Sequence, residues 1–225
     1  MNILIACEES GRVTEQFRLK GHDAFSCDII ETSGAHPEWH IKGDTMPLLN
    51  GDCTFKTQDG KTHEIQGKWD MIIAFPPCTH LAVSGASWFE KKRADGRQAQ
   101  AIKFFCTILD ANCNKICVEN PVNIISGKYV KKWFPNMSLY YGLPLKPTQI
   151  INPWNFGDPV PKKTCLWLKG LNPLKLEYTE PPEMEYTIFK SGRKMATWYA
   201  KSYGNGKLRS KTFPGIARAM AEQWG

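Results

Sequence analysis

Short apolar runs alternate with stretches of helical period along the first two thirds of the chain. Asn2 to Ala6 is an apolar run that ends in Cys7-Glu8-Glu9-Ser10-Gly11. A helical stretch follows in which Val13, Phe17 and Leu19 are expected to face a core, and Gly21 stops it. Ala24 to Ile30 reads as a second strand with Asp28 near its carboxyl end, and Gly43-Asp44 closes a short third strand containing Ile41. Thr54 to Phe55 and His63 to Ile65 flank Asp59-Gly60 in the manner of an inserted hairpin. Trp69 to Phe75 is a buried strand that runs straight into Pro76-Pro77-Cys78-Thr79-His80. The spacing of Ala101, Phe104, Phe105 and Leu109 predicts a helix from about Ala94 to Leu109. Lys115 to Val118 is the next strand, ending in Glu119-Asn120-Pro121.

This alternation predicts an α/β fold built on a doubly wound, mostly parallel sheet. In such sheets ligands collect outside the carboxyl ends of the strands, where Glu8 to Gly11 and Asp28 would lie. After about Pro144 the regular period weakens, and Pro- and Trp-rich segments such as Asn152 to Pro159 take over. Thr164 to Leu168 is strand-like, Asn172 to about Lys201 is polar and loop-rich, and Pro214 to Gln223 reads as a closing helix that begins at proline. Ile216, Met220 and Trp224 give that helix an apolar stripe. The expectation is one domain over residues 1–225 with a small loop-rich appendage.

Composition narrows the class. A chain of 225 residues with 42% hydrophobic and 23% charged positions fits a globular domain and excludes a wholly disordered or collagen-like one. No apolar run approaches the ~20 residues a bilayer span requires, and the first strand lacks a basic flank and cleavage site, so no membrane or export role is expected. Eight cysteines without dense spacing point to a reduced, cytoplasmic setting. Cys113 and Cys117 are spaced like a metal half-site, but no second close Cys or His pair completes a tetrahedral set, and no metal is expected. The formal charge of +7 favours a polyanionic partner without demanding one.

Two strand ends carry candidate chemistry. Cys78 lies just beyond one buried strand and Glu119 at the end of another, so a thiol and a carboxyl are expected to share one cleft. A thiolate there is a nucleophile, and a carboxyl kept protonated by burial donates a hydrogen bond or a proton to a substrate nitrogen. Taken singly, a core cysteine and an exposed turn acid explain the same residues. A zinc-dependent deaminase would need a second Cys three residues after Cys78, and Leu81 stands there.

With these motifs in this order, the chain resembles the catalytic domain of cytosine-C5 DNA methyltransferases, above all the short phage and prophage members. Pro76-Pro77-Cys78 is similar to the family's nucleophile loop, and Glu119-Asn120 to its acid-bearing turn. The resemblance implies a class I S-adenosylmethionine-dependent methyltransferase fold, Rossmann-like, acting on DNA in the cytoplasm, that of the host cell if the protein is phage-encoded. It also implies that Asp28 binds the ribose hydroxyls of S-adenosylmethionine and Asp44 its adenine amino group. Ser10, Gly11 and Pro76 would line the cofactor, and Glu8 or Glu9 would receive its amino group. The family's Gly-rich first loop is replaced by Cys7-Glu8-Glu9-Ser10-Gly11, and its covering aromatic is absent at Ala6. Arg209 to Ala217 is similar to the late motif that returns to the cofactor pocket. On the substrate side the resemblance points to Pro77, and the stretch Gln149 to Thr164 offers Lys162 and Lys163 where the family has paired arginines. The target-recognition region is reduced to about residues 172–205, where Arg193 and Lys194 precede Trp198 and Tyr199. Rival readings are an enzyme of the same fold acting on RNA or a free pyrimidine nucleotide, and a non-catalytic nucleic-acid-binding or host-interaction protein.

Overall fold

The computed structural model describes residues 1–225, apart from the side chain of residue 207. Its elements in chain order begin with β1 (Asn2–Ala6), α1 (Arg12–Leu19), β2 (Asp23–Asp28) and β3 (His40–Lys42). The hairpin β4 (Cys53–Lys56) and β5 (Thr62–Ile65) precedes β6 (Met71–Ala74), α2 (Phe89–Ala94), α3 (Arg97–Leu109) and β7 (Ile116–Pro121). Then come α4 (Lys128–Trp133), α5 (Pro135–Tyr141), β8 (Gln149–Ile151) and β9 (Thr164–Lys169). The chain closes with β10 (Tyr186–Ile188), β11 (Lys194–Ala196), α6 (Thr197–Lys201), α7 (Gly206–Ser210) and α8 (Pro214–Trp224).

Seven strands form one sheet in the order β3-β2-β1-β6-β7-β9-β8. Only β9 runs against the rest, antiparallel to both β7 and β8. The sheet is buried on both faces, which is why its strands read as continuous apolar runs. In β1, Ile3 and Ile5 face α1 and α8, packing with Val13, Phe17, Ile216 and Met220. Leu4 and Ala6 point the other way, into a core with Ile102 and Phe105 of α3 and Trp167 of β9. Each large side chain so buried contributes about 1.5–3 kcal/mol. The α8 stripe expected beside β1 is therefore the outer wall of one core face.

The structure departs from the sequence pattern in four places. Leu19 does not join the α1 face: it is 74% exposed, because the helix ends there and the chain turns at Lys20-Gly21. The helix expected from about Ala94 to Leu109 is α3, which starts at Arg97 because Gly96 takes the left-handed conformation at φ 79° and opens it; Ala94 instead ends the separate helix α2. The stretch from Asn172 to Lys201 is not all loop, since β10 and β11 pair as a hairpin and α6 follows directly. Between Pro121 and Pro144, where the pattern offers no element, α4 and α5 form.

Candidate active site

The carboxyl ends of β1, β2, β3, β6 and β7 lie along one edge of the sheet, and the amino end of the antiparallel β9 joins them. From β6 the chain passes through half-buried Phe75 and buried Pro76 to Cys78, with Pro77 exposed between them. This loop is held at several points. Asn120 Nδ2, fully buried at the end of β7, donates to the Pro76 carbonyl at 2.7 Å. Asn120 Oδ1 in turn accepts from Asn123 Nδ2 at 3.1 Å, and Asn123 Oδ1 accepts from the Ile125 amide at 3.0 Å. Beyond the thiol, the Cys78 carbonyl accepts from the amides of Leu81 and Ala82. The buried Lys92 Nζ donates to the Thr79 carbonyl at 2.6 Å, and Gln98 Nε2 to that of His80 at 3.2 Å. The turn at Cys78 is local, but Asn120, Lys92 and Gln98 come from β7, α2 and α3, so tertiary packing fixes the loop that carries the thiol.

Glu119 precedes Asn120 and points to the other side of the strand, into a small cavity lined by Phe75, Glu119, Lys162, Thr164, Ile216 and residues 210–213. Burial pushes the Glu119 carboxyl up, against the pull of the Lys162 ammonium and a hydrogen bond from Thr164. The Cys78 thiol is also pushed up, first by burial and then by the Glu119 charge, while Lys162 and Arg209 draw it down. One lysine thus acts on both groups. Lys162 is fixed by donating Nζ to the Arg209 carbonyl at 3.0 Å and by lying 5.6 Å from the centre of the Phe213 ring. The segment before α8 is a strap across this edge: Arg12 donates to the Thr212 carbonyl at 2.8 Å, and Lys211 Nζ to Ser33 Oγ at 2.8 Å.

The other half of the edge is acidic. Asp28 Oδ1 accepts from the Ile30 amide and Asp44 Oδ1 from the Met46 amide, local turns that leave each Oδ2 without a hydrogen bond among the described residues. Between these acids and β1 sits Cys7, with φ 58°, a left-handed conformation that a non-glycine residue adopts at a cost. Its thiol is pushed far up by burial and by Asp28, Cys27 and Asp44. Ile29, adjacent to Asp28, is 75% exposed. Gly11 opens α1 in the left-handed conformation, and Ser10 and Gly11 line a second small cavity with Thr32, Gly34 and Trp39.

Several expected residues lie elsewhere. Glu8 is buried and turned into α1: Oε1 accepts from the Val13 amide at 2.7 Å, and Oε2 from the Thr14 amide and hydroxyl at 3.2 and 2.7 Å. It is a helix-capping carboxylate, because the first turn of α1 has donors that no residue of the helix can satisfy. Glu9 differs, with Oε2 on the Ser33 amide at 3.1 Å and Oε1 buried without a partner among the described residues. Lys163, just before β9, is exposed and does not line the cavity that Lys162 lines. Arg193 sits in the β10–β11 turn and Lys194 Nζ lies 4.3 Å from the Tyr186 ring centre, so both belong to the hairpin rather than to the cavity. Trp198 packs on Phe213, ring centres 5.2 Å apart, and is not offered as a stacking platform. Cys113 and Cys117 fall on opposite faces of the sheet and form no half-site. Sequence reading gave no role to Thr164, Asn123 or Lys92 and read Arg209 only as the start of the late motif; Thr164, at the end of the stretch that offered Lys162, and Asn123, two residues after Pro121, lay close enough to recognised segments to be found.

Among the described residues no helix is long and apolar enough to cross a membrane. The chain matches no protein-family model and no curated protein sequence.

Proposed function

We propose that the protein is a DNA cytosine-C5 methyltransferase of the class I, S-adenosylmethionine-dependent fold, with Cys78 as nucleophile and Glu119 as acid. The observation that carries this reading is the joining of two strand ends through one side chain. Asn120 binds the loop that presents Cys78, while its neighbour Glu119 faces the same edge with Lys162 acting on both.

The residues of the β1–β3 half suit the cofactor. Asp28 and Asp44 have acceptors to spare for hydroxyl and amine donors, the orphaned Glu9 Oε1 lacks a donor such as an ammonium group supplies, and exposed Ile29 offers an apolar surface for a flat base. When bound, S-adenosylmethionine supplies an electrophilic methyl group. The chain's residues would do the rest. The target cytosine leaves the duplex stack, and the Cys78 sulfur forms a bond to C6. Glu119, held toward its neutral form by burial, donates its proton to N3, so that C5 becomes nucleophilic and not N3 anionic. The Lys162 ammonium stabilises the thiolate before attack and the Glu119 carboxylate after it. C5 would take the methyl group, and the reaction would close when C5 loses its proton, the Cys78 thiolate departs to restore the C5–C6 double bond, and N3 returns its proton to the Glu119 carboxylate.

The nearly charge-balanced appendage at 172–205, with four acids against five bases, favours one competing reading, an RNA or free-nucleotide substrate. The decisive test uses 5-fluorocytosine, whose fluorine cannot leave as a proton does. With cofactor present, a fluorinated duplex is expected to trap a covalent adduct with wild type and with Cys7→Ser, and none with Cys78→Ser. No adduct on any fluorinated substrate removes the thiol mechanism, and an adduct on RNA or nucleotide alone replaces duplex DNA by that substrate.

A further inference from the structure

The loops after β6 and β7 do more than place the thiol and the acid. They run side by side, with the Val83 amide donating to the Val122 carbonyl and the Ile124 amide to that of Leu81, and each leads into a short helix. Those helices, α2 and α4, pack through buried Phe89 on Tyr129, ring centres 5.1 Å apart. Their outer surface is strongly cationic. Residues 83–94 and 122–134 carry six Lys or Arg against a single acid, Glu90, and so hold most of the chain's +7 excess. Lys128, Lys131 and Lys132 are all exposed and stand at i, i+3 and i+4 along α4. Lys91 is exposed on α2. Arg93 is preorganised, its guanidinium stacked 3.8 Å from the Trp133 ring centre and donating to Tyr129 Oη at 2.8 Å. Trp88 and Trp133 are 60% and 41% exposed among these cations.

We propose that residues 83–94 and 122–134 form one surface that docks the phosphate backbone of duplex DNA beside the loops that carry Cys78 and Glu119. This deepens the reading above and rests on it for the choice of DNA. A row of exposed lysines suits a partner whose charges are evenly spaced and remain hydrated, which describes a phosphate backbone. Trp88 and Trp133 are exposed among these cations, so base stacking on aromatic rings is available on the same surface. The surface is also wired to the nucleophile: α2 presents Lys91 and Arg93 outward and Lys92 inward, onto the Thr79 carbonyl beside Cys78.

The test measures affinity for a labelled duplex as a function of salt, using wild type and the triple variant Lys91→Glu, Lys131→Glu, Lys132→Glu. Each phosphate contact contributes about 0.9 to the slope of log K against log salt. The variant is expected to lose roughly two to three units of slope and at least tenfold in affinity at low salt. Its cofactor affinity and thermal midpoint are expected to match wild type, and a milder Lys→Gln triple should fall between the two. An unchanged slope overturns the surface, as does loss of affinity for an RNA hairpin without loss for the duplex. A change in self-association with duplex binding intact also overturns it, in favour of a second copy as occupant. Normal methyl transfer with an unchanged slope fails the surface and keeps the enzymatic reading. A lowered slope in a protein whose wild type transfers no methyl group does the reverse.

Discussion

Cys7 and Cys78 occupy equivalent places, each just past the carboxyl end of a parallel strand on the same edge, yet their surroundings are opposite. Burial raises both thiols. The charges around Cys7 then add to the effect, since Asp28 and Asp44 both oppose a thiolate. Around Cys78 the charges are mixed: Glu119 opposes the thiolate, and Lys162 and Arg209 support it. A position at a strand end therefore does not by itself favour a thiolate. Counter-charge does, and at Cys78 it comes from residues more than eighty positions later in the chain, brought in ahead of β9 and by the strap before α8. The edge divides into an acidic half suited to binding a cation with hydroxyl and amine donors, and a mixed half able to sustain a thiolate and a neutral carboxyl together.

The sharpest way to break that division is a pair of variants measured in two assays. Asp28→Ala should lower S-adenosylmethionine affinity by roughly ten- to hundredfold, the equivalent of about 1.5–3 kcal/mol for a charge-assisted hydrogen bond. It should leave the capacity of Cys78 to react with iodoacetamide unchanged. Lys162→Met should do the opposite, sparing calorimetric cofactor affinity and slowing both alkylation and adduct formation. If either variant impairs both assays equally, while its thermal midpoint stays at the wild-type value, the two halves are one coupled site and the comparison fails.

How much of this was legible beforehand differs between the halves. The acidic half is local: Asp28 and Asp44 are read from strands that announce themselves by apolar runs, and the structure puts them at neighbouring strand ends. The run Cys7-Glu8-Glu9-Ser10-Gly11 was harder, because two adjacent glutamates look alike in sequence. Only the direction of the chain at Cys7 decides that Glu8 turns into the helix and Glu9 toward Ser33. In the other half Cys78 and Glu119 were visible from their motifs. The roles of Thr164 and Arg209 were not, since their relation to Glu119 and Cys78 is created by the antiparallel insertion of β9 and by the strap. No local period encodes a contact of that sequence separation. The α2–α4 surface was missed for a related reason: its two halves are each too short to show periodicity, and only their packing through Phe89 and Tyr129 makes them one face.

Glu8 supplies the next test. Its three accepted hydrogen bonds cap the first turn of α1, so Glu8→Ala should cost about 1–3 kcal/mol of stability, read from urea unfolding at constant m. Cofactor affinity should hold in the folded fraction. By contrast, Glu9→Gln replaces an orphaned acceptor with an amide and should weaken cofactor binding with little loss of stability. A stable Glu8→Ala protein that no longer binds cofactor would return Glu8 to the site and move the boundary of the acidic half inward by one residue.

The smallest expected effect bears most directly on the contrast between the two thiols. In the free protein Cys78 lies above the ordinary thiol range, so its alkylation rate should still be rising with pH where an unperturbed cysteine has levelled off. The sign of each neighbour's influence can then be read from variants. Once the Glu119 carboxyl is ionised its charge opposes the thiolate, so Glu119→Gln should move the upper part of the profile to lower pH. Lys162→Met removes a supporting positive charge, so the profile should move to higher pH. Glu119→Gln would therefore make Cys78 more reactive toward iodoacetamide in that upper range while slowing its addition to cytosine, because the amide cannot give N3 a proton. Cys7 should respond to neither change, since the charges that hold it up are Asp28 and Asp44. Parallel movement of the two thiols, or a Glu119→Gln protein slowed in both reactions, would show that burial alone governs Cys78 and that the charges across the edge do not distinguish the two cysteines.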